Sequence, residues 1–122
     1  TLKRLRRLDP DEFVRRIADG FVARNYEILS RIAGPDGPGL ILRRGQEKVI
    51  VFGRRLVGLK TGVASVENLN RAVSSYGAQR GFFATLGEFT PDARAYARGR
   101  HLHLLDGLSV LRLLARRGSD SF

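Results

Sequence analysis

Residues 34–60 read GPDGPGLILRRGQEKVIVFGRRLVGLK. A Gly/Pro segment, Gly34–Gly39, runs into a short apolar run, Leu40–Leu42. A polar turn follows at Arg43–Glu47, then a second apolar run, Val49–Phe52, which opens into the basic cluster Gly53, Arg54, Arg55 and Lys60. Short apolar runs bounded by Gly and Pro predict two strands, Leu40–Arg44 and Lys48–Gly53, joined by a tight turn at Gly45. Both runs are nearly continuous in apolar residues rather than alternating, which predicts a sheet covered on both faces. Functional groups then fall in the loop and at the strand end.

Upstream, Asp9-Pro10-Asp11-Glu12 predicts a helix start, with Asp9 as cap, Pro10 at the first helical position and Glu12 closing a capping box. Phe13, Ile17 and Phe21 share one face, flanked by Val14, Ala18 and Val22, while Arg15, Arg16, Asp19 and Arg24 are expected in water. The helix should end near Asn25, and Tyr26–Ile32 should be a strand. Before it, TLKRLRRL at 1–8 forms a basic lead-in or linker, with leucines spaced for a turn or two of helix.

Downstream, 58–62 is expected to be a loop. Ser65 is expected to cap a helix lined by Val66, Leu69, Ala72, Val73 and Tyr76 and stopped at Gly77. A strand at Gly81–Thr85, a helix at Pro91–Arg98 behind the cap Thr90, a strand at His101–Leu105 and a last helix with Leu108, Leu111 and Leu114 on its face complete the domain, 9–117. Residues 118–122 are expected to be a frayed tail. The predicted order, α-β-β-β-α-β-α-β-α, describes an α/β mixed central sheet flanked by helices.

At 122 residues the chain is long enough for one core and too short for two. No apolar run approaches the roughly 18–20 residues of a membrane span. The lack of cysteine excludes disulfides and thiolate metal sites and fits a cytoplasmic location. Thr1 in place of Met points to a larger chain, with an upstream segment or membrane anchor left open. The 22 Lys and Arg against 12 Asp and Glu leave a formal charge of +10, a balance that points to nucleic acid, DNA or RNA, as partner.

Nucleophilic catalysis finds little support. The two histidines, His101 and His103, fall on one late strand with only Asp106 near as a third ligand, so no metal site is expected. Gly34, Gly37 and Gly39 do not have the spacing of a nucleotide-binding loop, and no helix follows them.

From Leu8 to Leu114 the chain resembles Mrr-type restriction endonuclease domains of the PD-(D/E)xK superfamily. The resemblance rests on Asp11-Glu12-Phe13, the loop Gly34–Gly39, the strand Val49–Arg54 and Val63…Val66…Leu69. It continues through Gly77-Ala78…Gly81-Phe82-Phe83-Ala84-Thr85, Phe89-Thr90-Pro91-Asp92-Ala93 and Leu104-Leu105-Asp106-Gly107. It implies a restriction endonuclease-like fold acting on DNA with Mg²⁺. Active members carry a loop like D-G-G-x-D and then (D/E/Q)-x-K on the next strand. Here the matching positions are Gly39, Phe52 and Arg54, and Val14 stands where a Glu commonly follows the first helix's Phe. The resemblance therefore implies a degenerate site without catalytic residues or metal. Arg54, Arg55 and Lys60, helped by Arg43, Arg44 and Lys48, would contact nucleic acid without a cofactor. One alternative is a divergent Mg²⁺-dependent nuclease using Asp36, Glu47 and Lys48. The other is a structural domain that forms a homodimer through Val57, Leu59 and the last helix.

Overall fold

The computed structural model describes residues 2–54 and 60–115. A short helix, α1 (Leu2–Leu5), precedes α2 (Pro10–Val22). Three antiparallel strands follow: β1 (Glu27–Gly34), β2 (Gly37–Arg44) and β3 (Glu47–Arg54). Then come β4 (Lys60–Thr61), α3 (Val63–Ser75), β5 (Arg80–Thr85), β6 (Glu88–Phe89), α4 (Pro91–Ala97), β7 (Leu102–Leu105) and α5 (Gly107–Leu114). The main sheet has the order β1-β2-β3-β5-β7, with β3, β5 and β7 parallel, and β4 pairs separately with β6. This is the expected mixed sheet between helices, with β4 and β6 added.

Burial on both faces is the main organising fact. Along β3, Val49 and Val51 face a core that also takes Leu40, Leu42, Phe82 and Ala84, packed under α2 and α5. Ile50 and Phe52 face a second core with Ile41, Phe83, Val66 and Leu69, packed under α3 and α4. None of the four β3 residues exceeds 5% exposure. Period-two alternation thus sends apolar groups to both sides, and the run reads as continuous.

The α2 cap forms as expected: the Asp9 carboxylate accepts from Glu12 N at 2.8 Å, and Asp9 N donates to Glu12 Oε1 at 3.1 Å. The helix stops at Val22, short of Asn25, whose φ of 72° already lies in the left-handed region. Thr90 and Asp106 cap α4 and α5 by accepting from Ala93 N and Ser109 N. The α3 start differs. Gly62 is the cap, with no side-chain hydrogen bond, and Ser65 is buried within the first turn. Gly77 ends α3 at φ 64°, as expected, but Tyr76 is exposed rather than on the packed face. In α5 the buried face is Gly107, Val110 and Leu113, leaving Leu108 exposed.

The lead-in is docked rather than loose. Leu5 is 4% exposed in the α2-side core, and Leu2 and Leu8 pack against it. The tail 118–122 lies outside the described residues. Among the described residues no helix is long and apolar enough to cross a membrane.

Arg24, expected in water, is buried. Its Nη1 donates to Gly20 O at 3.0 Å and Leu113 O at 2.8 Å, and its Nη2 to Arg112 O at 3.3 Å. These carbonyls belong to the last turns of α2 and α5, where the chain runs out of internal donors and the helix dipole is negative. Gly20 lets the helices approach, since a Cβ there would meet Leu113 Cγ at 2.7 Å. Arg24→Met keeps the apolar stem but removes the donors to the Gly20 and Leu113 carbonyls, so it should destabilise the fold by about 3 kcal/mol in urea denaturation.

Candidate functional site

The loop expected at Gly34–Gly39 is mostly strand. Gly34 pairs with Gly37 across a two-residue turn, Pro35-Asp36, so β2 begins three residues earlier than Leu40. This fixes the register across the hairpins: Gly39 lies opposite Phe52. Cross-strand partners share a face, and alternation puts Arg54 on that face too, at the C-terminal end of β3 beside Thr85 of β5. The backbone therefore brings positions 39, 52 and 54 together where the resemblance requires.

The side chains do something else there. Phe52 is 5% exposed, and its ring lies over Gly39. A Cβ on Gly39 would meet Phe52 Cδ1 at 2.6 Å and Cε1 at 2.7 Å. The same ring approaches Gly34, where an added Cβ would be 3.2 Å from Cε1. It also stands edge-on to Phe83, whose ring meets Phe89 in the same way. The aromatic fills the space a carboxylate at position 39 would occupy. Val14 is buried among core residues. Gly39, Phe52 and Val14 supply no oxygen ligand through their side chains, and the Arg54 guanidinium repels a cation, so these positions do not fit Mg²⁺. Among the described residues no three His, Asp or Glu side chains cluster as metal ligands.

The alternative trio is dispersed. Asp36 is exposed at the hairpin tip, beyond the Gly39 end. Glu47 sits at the opposite end of β3, facing Arg44, on the order of 25 Å away along the strands. Glu47 is held by Arg80, whose Nη2 donates to Glu47 Oε1 and to the Tyr26 hydroxyl, both at 2.9 Å. Arg80 Nε lies 2.8 Å from Glu47 Oε2, a charge contact off the hydrogen-bond axis. Lys48 Nζ donates to Tyr76 O at 3.1 Å.

The expected basic set also divides. Arg54 and the exposed Lys60 lie at the C-terminal end of the parallel strands, and Arg55 lies outside the described residues, as do Val57 and Leu59. Arg43, Arg44 and Lys48 lie at the other end. Arg43 pairs with Glu27 at 3.0 Å, and Arg44 donates to Arg24 O at 3.1 Å with its guanidinium 4.3 Å from the Tyr26 ring. There the helices end, and cations meet their last carbonyls: Arg24 on α2 and α5, Lys48 on α3, and Arg100 on Tyr96 O of α4 at 2.7 Å. Sequence spacing carried no signal for this role, because each carbonyl comes from an element distant in the chain or hidden behind a turn.

His101 precedes β7 at φ 58° and does not share a strand face with His103. His103 stacks on Phe82 at 4.9 Å, with Arg80 Nη1 at 3.5 Å from its Nε2. Burial holds its imidazole below the usual histidine range, Arg80 and His101 push the same way, and Glu47 opposes them.

The Mrr_cat family model, described as restriction endonuclease, matches residues 5–114. The chain belongs to this restriction endonuclease family. No curated protein matched the sequence. Among solved structures, "DNA modification-dependent restriction endonuclease AspBHI" is similar at 17% identity and a TM-score of 0.70, over 93% of this chain and 33% of that one. "Structure of EndoMS in apo form" is similar at 16% identity and a TM-score of 0.64, over 81% and 46%. The protein of unknown function AF1548 is similar at 16% identity and a TM-score of 0.57, over 79% and 64%. The chain thus spans between one third and just under two thirds of these proteins. At such identities the likeness is one of fold, and the fold agrees with the sheet described above.

Two measurements probe the family domain's interior. Gly39→Ala should cost about 1–3 kcal/mol through the clash with Phe52. Phe52→Leu in that background should recover part of the loss, giving a coupling that a double-mutant cycle resolves. For His103, the unfolded chain binds its proton near the ordinary histidine pKa, and the folded chain only at lower pH. Stability should therefore fall as pH drops below about 6.5, and the fall should be shallower in His103→Gln when denaturation midpoints are compared from pH 7.5 to 5.

Proposed function

We propose that this restriction endonuclease family domain binds DNA without cutting it, through cations at the C-terminal end of β3. The single observation that carries the reading is the Phe52 ring seated on Gly39, where a metal-binding carboxylate would have to stand. With apolar contact in place of acids, the site keeps Arg54 and loses the negative charge that would hold Mg²⁺ and oppose phosphate. The Arg54 guanidinium acts as a phosphate partner and not as a general base. Lys60 adds a second charge on the neighbouring short strand, opposite Glu88. Binding of this kind works through counterion release and carries little sequence information. DNA as the ligand is supported by the family and by the printed description of AspBHI as DNA modification-dependent.

The separation of Asp36 from Glu47 and Lys48 argues against the divergent-nuclease reading, since no one phosphate could touch all three. Arg43, Arg44 and Lys48 are better understood as structural cations, because each is already engaged by a carbonyl or a carboxylate.

Fluorescence anisotropy with a labelled duplex tests the proposal. Arg54→Glu should weaken binding about tenfold or more, and log Kd should rise steeply with log salt. Added Mg²⁺ should not improve affinity beyond its ionic-strength effect, and plasmid incubated with Mg²⁺ or Mn²⁺ should stay intact. Cleavage abolished by Asp36→Ala would overturn the reading.

A further inference from the structure

We infer that α1 together with the turn after it, residues 2–8, is a second, preformed half of the DNA interface, at the same end of the strands as Arg54; this rests on the DNA-binding reading above. The leucines of residues 2–8 recur every third position, and the fold uses all three inward: Leu5 buried, Leu2 and Leu8 packed on the same core. That leaves Lys3, Arg4, Arg6 and Arg7 exposed. Four cations within five positions, with no acid among them, make this the densest run of like charge in the described chain.

Its place in the fold matters more than its charge. Leu2 lies against Gly107, where an added Cβ would be 3.4 Å from its Cδ1. Gly107 opens α5 directly after β7, and its N–H donates to Gly87 O, just past the end of β5, at 3.4 Å. So α1 sits at the C-terminal end of the parallel strands, the end that also carries Arg54. It lies on the α2 and α5 side, whereas Arg54 shares the Phe52 face on the α3 and α4 side. One layer of packing and one to two strand spacings separate the two clusters, on the order of 10–15 Å. That is comparable to the ~12 Å width of a DNA major groove, so phosphates of one duplex can meet both.

Docking also decides between two kinds of polyanion. A basic amphipathic helix binds an anionic membrane by inserting its apolar face. Here that face is turned into the core, which leaves only the charged side for a partner. Phosphates of a duplex need nothing more.

The test compares three charge reversals on the whole chain, by duplex anisotropy over a salt series, with circular dichroism to confirm folding. Lys3→Glu with Arg7→Glu should weaken binding at least tenfold and lower the salt slope by about two, as two lost phosphate contacts would. Arg71→Glu with Arg100→Glu makes the same change in net charge at the far end of the sheet and should alter affinity less than threefold. If the α1 pair leaves affinity and slope unchanged while Arg54→Glu weakens binding, α1 is no part of the interface and the DNA-binding reading survives. Equal losses from the α1 and far-end pairs would reduce the effect to net charge and overturn the inference. A parent chain that binds no duplex, or prefers vesicles of anionic lipid to duplex, overturns both. Lys3→Gln with Arg7→Gln, a milder pair, should show an intermediate loss.

Discussion

Double-sided burial of β3 is the constraint from which the rest follows. Val49, Ile50, Val51 and Phe52 are all removed from water, so both faces of the sheet need a covering layer. The parallel pairing of β3, β5 and β7 then requires crossover helices, and these run back against the strands. Helix starts accordingly gather at the strands' C-terminal end and helix stops at the other. Asp9 and Asp106 attend the first group, and Arg24, Lys48 and Arg100 attend the second. The hydrophobic pattern of one strand therefore decides at which end of the sheet cations serve helix carbonyls.

This division changes the meaning of the net charge. Arginine is the residue best shaped to serve carbonyls at a helix end, because its planar fork can meet several oxygens at once. Arg24 does so with three carbonyls from two helices. A count of basic residues registers only its charge and not the carbonyls that it holds.

The elements themselves were readable because their signals are local. The Asp9-Pro10-Asp11-Glu12 box, the Thr90-Pro91 start and the left-handed Gly77 each act within a few residues of chain. The errors fall where distant chain decides. Pro35-Asp36 reads as part of a six-residue loop until the Gly34–Gly37 pair shows it to be a two-residue turn. β4 and β6 are only two residues each and exist through one another, so neither carries a periodic signal. Arg24 looks like a polar residue on a helix's wet side, and only the arrival of α5 turns it inward. At the candidate site the sequence identified which residues occupy the aligned positions. It could not reveal that Phe52 and Gly39 are in contact, because that depends on the register.

That contact also limits how this domain can change. A side chain at position 39 meets the Phe52 ring, and removing the ring alone leaves a void beside Phe83. Each single step is therefore unfavourable, and only a paired exchange reaches another well-packed state. The Phe52–Gly39 pair behaves as a ratchet in sequence space: a lineage that has acquired it is held there by packing alone.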